Sequence, residues 1–161
     1  MGSSKYKRPF YRTSTFQIQI LPFFVLIYIL IKHIDALAFW EWSRSESIAA
    51  LIVFALFIGP FIYGVIFQQL YFIELSDDDF VLRNGLAGIV KTIIPLSKEY
   101  EVLVGYNKGS TVHYIMYRKS GRKRWGWFYG IDLVDPKDLK EIISILESKG
   151  VTVITKDLKD I

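Results

Sequence analysis

The sequence predicts a membrane helical hairpin joined directly to an α+β domain, in which successive antiparallel strands are closed by one C-terminal helix. Three observations carry this. Residues 48–67 contain no charged side chain, and at ~1.5 Å per helical residue such a run matches the ~30 Å hydrocarbon core of a bilayer. A second apolar run, residues 20–31, precedes it and follows a basic N-terminal arm. From Tyr71 onward the pattern changes to short β-rich runs separated by turn residues, until a capped amphipathic segment begins at Asp135.

The basic arm, residues 1–15, carries Lys5, Lys7, Arg8 and Arg12 and no acid. The first span is placed at about 16–32 and the second at about 48–70. The uninterrupted apolar part of the first is short for a crossing, which therefore takes in Phe16 and has Lys32 snorkel to the interface. Tyr6, Phe10 and Tyr11 on one side, and Trp40 and Trp42 on the other, suit interfacial aromatic belts. The same stretch also fits a signal peptide, with a basic n-region, an apolar h-region and Ala36-Leu37-Ala38 as cleavage site. A retained helix is favoured, because the second span follows so soon that the two complete a hairpin. Lys and Arg are denser in the arm than between the spans, which places both termini in the cytoplasm of a multi-pass inner-membrane protein. With a cleaved signal the C-terminal part stays cytoplasmic. Ala55 and Gly59 have small-xxx-small spacing, and Pro22 and Pro60 are kink positions, but ordinary membrane-helix composition accounts for all four.

In the second half, strands are predicted at 71–75, 80–83, 89–96, 100–106, 111–118 and 124–133. Between them lie Ser76-Asp77-Asp78-Asp79, Asn84-Gly85, Asn107-Lys108-Gly109-Ser110 and Ser120-Gly121. The final helix has Asp135 as N-cap, Pro136 at its first position and Gly150 after its last turn. Leu139, Ile142, Ile143 and Leu146 recur at helical spacing and form one apolar stripe. Residues 151–154 are a candidate last strand.

Three segments carry a family resemblance: "YFIELSDDDFVLRNGL" (71–86), "KTIIPLSK" (91–98) and "GIDLVDPKDLKEIISILESKG" (130–150). Following a hydrophobic hairpin, they resemble the bacterial membrane-anchored PH-like domain proteins. The resemblance covers about half the chain and implies a cytoplasmic PH-like antiparallel β-barrel or sandwich over residues 71–161, closed by the C-terminal helix. Its motifs are structural rather than catalytic. The long loop often inserted before the fourth strand in that family is short or absent here.

Candidate chemistry is sparse, and the expectation is a protein without catalytic residues, metal or cofactor. The chain has no cysteine, which excludes disulfides and thiolate sites. His33 and His113 are read as structural, and no nucleophile-elbow, zinc-protease or P-loop motif occurs. Asp77-Asp78-Asp79 lacks the alternating spacing of a calcium loop and reads as a solvated turn. Gly85 and Gly88 are a weak phosphate signal.

One stretch stands apart. Residues 118–130, "RKSGRKRWGWFYG", place Arg118, Lys119, Arg122, Lys123 and Arg124 around a Ser120-Gly121 tip, followed by Trp125 and Trp127. No acid occurs between Val102 and Ile131, although residues 74–161 as a whole balance fourteen basic against thirteen acidic side chains. Such polarisation suits docking on an anionic leaflet, with Trp125, Trp127 and Tyr129 alternating onto one face. A solvated tip with the tryptophans in the core is the competing reading. A stacking platform for nucleic acid is disfavoured, since the domain is nearly neutral overall. The functional expectation is a non-catalytic integral membrane scaffold whose cytoplasmic PH-like domain binds a partner protein or anionic lipid head groups. The resemblance also implies an immunity role against membrane-active peptides. An accessory subunit of a membrane enzyme or transporter complex fits the same features.

Overall fold

The computed structural model describes residues 4–32, 43–85 and 91–158. Strand β1 (Ser4–Tyr6) is extended and leads into a π-helical turn, Thr15–Ile20, which continues as α1 (Leu21–Lys32). Helix α2 (Arg44–Tyr63) starts at a capping box, in which Ser43 and Glu46 satisfy each other's backbone N–H groups. A further π-helical segment, Gly64–Gln69, carries α2 into the strands.

Strands β2 (Tyr71–Leu75), β3 (Asp79–Asn84) and β4 (Lys91–Pro95) form an antiparallel meander. Its first turn is held by Ser76, whose hydroxyl accepts from Asp79 N–H. The far edge of β2 is paired with β1, Lys5 opposite Glu74, so the first sheet runs β1-β2-β3-β4. Strands β5 (Tyr100–Asn107) and β6 (Val112–Lys119) form the central hairpin, in whose turn the Asn107 side chain accepts from Gly109 N–H. The two-residue β7 (Tyr129–Gly130) borders β6. A 3-10 turn, Pro136–Asp138, then opens α3 (Leu139–Ser148), and β8 (Thr152–Lys156) returns parallel to β5. A parallel pair requires such a crossover. The second sheet runs β7-β6-β5-β8.

The end signals of α3 act as the sequence indicates. Asp135 accepts from Lys137 N–H, and Gly150 adopts φ +86°, so that Gly150 N–H reaches Glu147 O and Val151 N–H reaches Leu146 O. Leu139, Ile142 and Leu146 are buried, with Ile143 at the margin. They pack into one core with Ile73, Phe80, Leu82 and Ile94 from the first sheet and Val102, Val104 and Ile115 from the second.

Four expectations are corrected. Among the described residues no helix is long and apolar enough to cross a membrane, so the membrane helical hairpin is not present. Helix α1 itself has 12 residues, and the π-helical turn before it is tied into the folded unit, with Thr15 buried and Ile20 packed against Val65, Leu70, Phe72 and Leu133. Helix α2 turns π-helical from Gly64 to Gln69, and there Val65 is buried with Leu70, Phe72 and Leu133, so the end of the uncharged run belongs to the core of the folded unit. The multi-pass inner-membrane placement with both termini cytoplasmic falls with it, because it needed two crossings. The PH-like barrel or sandwich is replaced by two four-stranded sheets that do not close into a barrel, since β1 and β8 occupy edges that a closed meander would have joined. The resemblance to membrane-anchored PH-like proteins loses both its structural supports. Residues 33–42, with His33, Ala36-Leu37-Ala38, Trp40 and Trp42, and residues 86–90, with Gly88, lie outside the described residues.

The basic N-terminal segment is built into the fold. Lys5 and Lys7 stand over the Phe72 ring at 4.9 and 4.8 Å. Arg8 reaches Asp132, just after β7, with Nη2 2.6 Å from Oδ1 while its Nε donates to the Asp132 carbonyl at 2.7 Å. Asp132 is only 3% exposed. Its carboxylate also accepts from Ser14 N–H at 3.2 Å and Thr15 N–H at 2.6 Å, so it caps the helical run that becomes α1. The Thr15 hydroxyl donates to Gln69 Oε1, and Gln69 O accepts from Asp132 N–H. Asn84, fully buried, donates to Ile66 O. Both helices are thereby fastened to the sheets at one place.

Two predictions follow from this junction. Asp132→Ala leaves Arg8 without its buried partner and uncaps α1, and such a break costs about 3–5 kcal/mol. The control is Lys137→Ala, which removes the exposed Lys137–Asp135 pair and shifts stability by about 0.5 kcal/mol or less. Denaturant melts of the full chain check both, and an Asp132→Ala protein that melts like the parent contradicts the junction. The second concerns His113 on β6, whose imidazole is held below its usual value by burial first, then by the Arg8 guanidinium, with Asp132 opposing. Folding therefore favours the neutral ring. The contribution of His113 is complete above the unfolded value of about 6.5 and is lost as pH falls through the folded value. The parent loses more stability between pH 7 and pH 5 than His113→Asn does, and equal pH slopes contradict the assignment.

Candidate functional site

The register of the β5–β6 hairpin places Glu101 opposite Arg118 and Tyr100 opposite Lys119. Cross-strand neighbours of this kind interact. Arg118 Nε lies 2.6 Å from Glu101 Oε2, and its guanidinium stacks 4.3 Å from the Trp125 ring. Lys119 Nζ lies 5.8 Å from the Tyr100 ring centre. Ser120 donates its N–H to Glu99 O and its hydroxyl to Glu101 Oε1, while Gly121 at φ +82° completes the turn to Arg122.

The chain beyond the tip does not form the long strand predicted over 124–133. It runs beside β6 as irregular backbone and becomes a strand only at β7. Gly126 N–H donates to Tyr117 O at 2.9 Å, and a Cβ at Gly126 would come within 2.8 Å of that oxygen. Glycine is what permits this approach. The result is an open groove of about 580 Å³ walled by Tyr100, Tyr117 and Trp125 and edged by the five basic side chains.

The structure thus brings Arg118, Lys119, Arg122, Lys123, Arg124 and Trp125 into one groove. Their charges are not equivalent. Arg118 is held by Glu101, whereas Arg122, Lys123 and Arg124 are exposed and have no acidic partner among the described residues. The stretch free of acids in the sequence is therefore not wholly free of them in space. Lys108 lies at the other end of the hairpin, beside a separate hollow that also holds Lys156 and Asp157.

Trp127 does not join the groove. Without a continuous strand, the expected alternation of Trp125, Trp127 and Tyr129 does not hold. Trp127 is 49% exposed and Tyr129 is buried. Trp127 instead lines a second cleft, of about 240 Å³, with Tyr63 and Phe67 from the end of α2, Tyr71, Thr92 and Tyr129. The Tyr117 and Tyr129 rings stack at 6.3 Å between the groove and the cleft. Burial is the main cause that raises the phenols of Tyr71 and Tyr117 above their usual range.

Sequence reasoning missed Tyr100 and Tyr117 as groove residues and Glu101 as the partner of Arg118. A hairpin register counted through the Asn107–Thr111 turn would have found all three opposite Arg118, Lys119 and Val102. The other sequence candidates have structural places. Asp77 meets Lys149, and Asp79 opens β3. Gly85 donates to Leu70 O, and a Cβ there would collide with the Leu133 side chain. Comparison with known proteins finds no match: no family model, no curated protein and no solved structure is significantly similar to the chain.

Proposed function

We propose that the protein is a non-catalytic binding module whose basic groove docks anionic lipid head groups. The observation that supports this most is the set of three exposed cations, Arg122, Lys123 and Arg124, on a rim whose floor is aromatic. The groove offers N–H donors and rings and no carboxylate among its lining residues, while the neighbouring Glu101 is engaged by Arg118. That donor set recognises phosphate oxygens and provides neither an imidazole nor a free carboxylate for proton transfer. Glu101 fixes Arg118 in place against Trp125, so this guanidinium gives the groove shape, and the three exposed cations supply the attraction.

The test compares the full chain with its Arg122→Gln, Lys123→Gln, Arg124→Gln triple variant on phosphatidylglycerol vesicles. Each cation near an anionic surface contributes ~1 kcal/mol, so the triple variant partitions about a hundredfold more weakly at low salt. Parent binding also weakens with salt, because attraction is screened over ~10 Å at 0.1 M. Arg118 is left unchanged so that the Glu101 pair survives. Both proteins carry the same helices, so the difference reports the groove alone. Equal partitioning of the two would overturn the reading.

A further inference from the structure

From the second cleft we infer that the protein binds a quaternary ammonium group, of the choline type, between the end of α2 and the sheets. The inference does not rest on the reading of the basic groove. Five of the six residues lining this cleft are aromatic: Tyr63, Phe67, Tyr71, Trp127 and Tyr129, with Thr92 the sixth. None carries a charge and none is aliphatic. Tyr63 and Phe67 lie 5.4 Å apart at 31°, and Tyr71 and Tyr129 lie 5.1 Å apart at 83°, so the rings form differently oriented walls. Tyr63, Phe67 and Trp127 are 47%, 37% and 49% exposed, which leaves the rim rings open to a ligand.

The hydroxyls on the sheet side of the cleft are already engaged. The Tyr129 hydroxyl lies 2.9 Å from Thr92 Oγ1 and also hydrogen-bonds Tyr117. The Tyr71 hydroxyl hydrogen-bonds Asn84. What the cleft mainly offers a ligand is ring surface, whose quadrupole attracts a cation within ~6 Å of a ring centre. A primary ammonium brings N–H groups that need acceptors when they leave water, and the cleft offers them no carboxylate. A quaternary ammonium has no N–H to satisfy. An apolar chain would gain from aliphatic walls and nothing from the ring quadrupoles. The lining therefore favours a cation without donors. The N-terminal junction, through Gln69 and Asn84, fixes the end of α2 and holds Phe67 and Tyr63 against the sheet side of the cleft.

The experiment is an NMR titration of the full chain, following the Trp127 indole N–H signal, assigned with Trp127→Phe. Tetramethylammonium and choline shift this signal saturably, while 3,3-dimethylbutan-1-ol, the neutral carbon counterpart of choline, binds roughly tenfold or more weakly because it lacks the charge. Trp127→Ala, at a half-exposed position whose loss leaves melting unchanged, and Phe67→Leu each weaken tetramethylammonium binding at least tenfold, read from the ligand methyl signals. Phosphatidylcholine vesicles, set against phosphatidylethanolamine vesicles and free choline, distinguish a lipid head group from a soluble source of the same cation. Equal binding of choline and its neutral counterpart, or tetramethylammonium binding unaffected by Trp127→Ala, overturns the inference.

Discussion

A single carboxylate, that of Asp132, holds together parts of the chain that are otherwise far apart. It is nearly inaccessible to water, and an isolated charge there would be expensive. Arg8 neutralises it, and the first amides of the helical run leading to α1 complete its hydrogen bonding. The same residue donates its own N–H to Gln69, where the segment from α2 arrives. The N-terminal strand, the start of one helix and the end of the other therefore meet at one buried acid. Leu70, Phe72, Val65 and Leu133 pack around this meeting point as a second small core, with Phe10, Ile20 and Phe61 against it.

What this junction fixes on one side determines what the other side presents. Fastening the end of α2 puts Tyr63 and Phe67 beside β2 and the approach to β7, and so creates an aromatic cleft that neither the helix nor the sheet has alone. The groove next to it belongs to the β5–β6 hairpin and the irregular return that Gly126 allows. The two hollows share a wall, the Tyr117–Tyr129 stack, and differ in chemistry: one is edged by hydrogen-bond donors, the other by ring surface. The outer faces of the helices remain apolar, with Phe24, Tyr28, Ile52 and Leu56 exposed. This is more than scattered single hydrophobics.

Local rules made much of the second half legible. Short β-rich runs located β2, β3, β5 and β6, and turn chemistry located the hairpin tips, because those signals are written within a few residues of where they act. The capping of α3 by Asp135 and Gly150 is legible for the same reason. The N-terminal segment was not. Lys5, Lys7 and Arg8 read as a free basic arm, since the partners that absorb them, Phe72 and Asp132, are set by tertiary structure. Apolar runs suggested two crossings, yet hydropathy does not distinguish lipid from a protein core, and Ile20 and Val65, in the π-helical segments beside α1 and α2, pack with Leu70, Phe72 and Leu133. At the candidate site, Arg118 to Trp125 were found from composition. Trp127 was grouped with them only because a continuous strand was assumed across Gly126.

The central claim is that Asp132 makes the N-terminal segment an integral part of the folded unit. Native-state hydrogen exchange at the Ser14 and Thr15 amides of the full chain tests it most directly, since these N–H groups lie outside the sheets and owe their hydrogen bonds to the Asp132 carboxylate. The account predicts protection comparable to that of the β5 and β6 core amides, as expected for groups that open only with the whole fold. Exchange of these two amides at the rate of a free chain, while β5 and β6 stay protected, would contradict it.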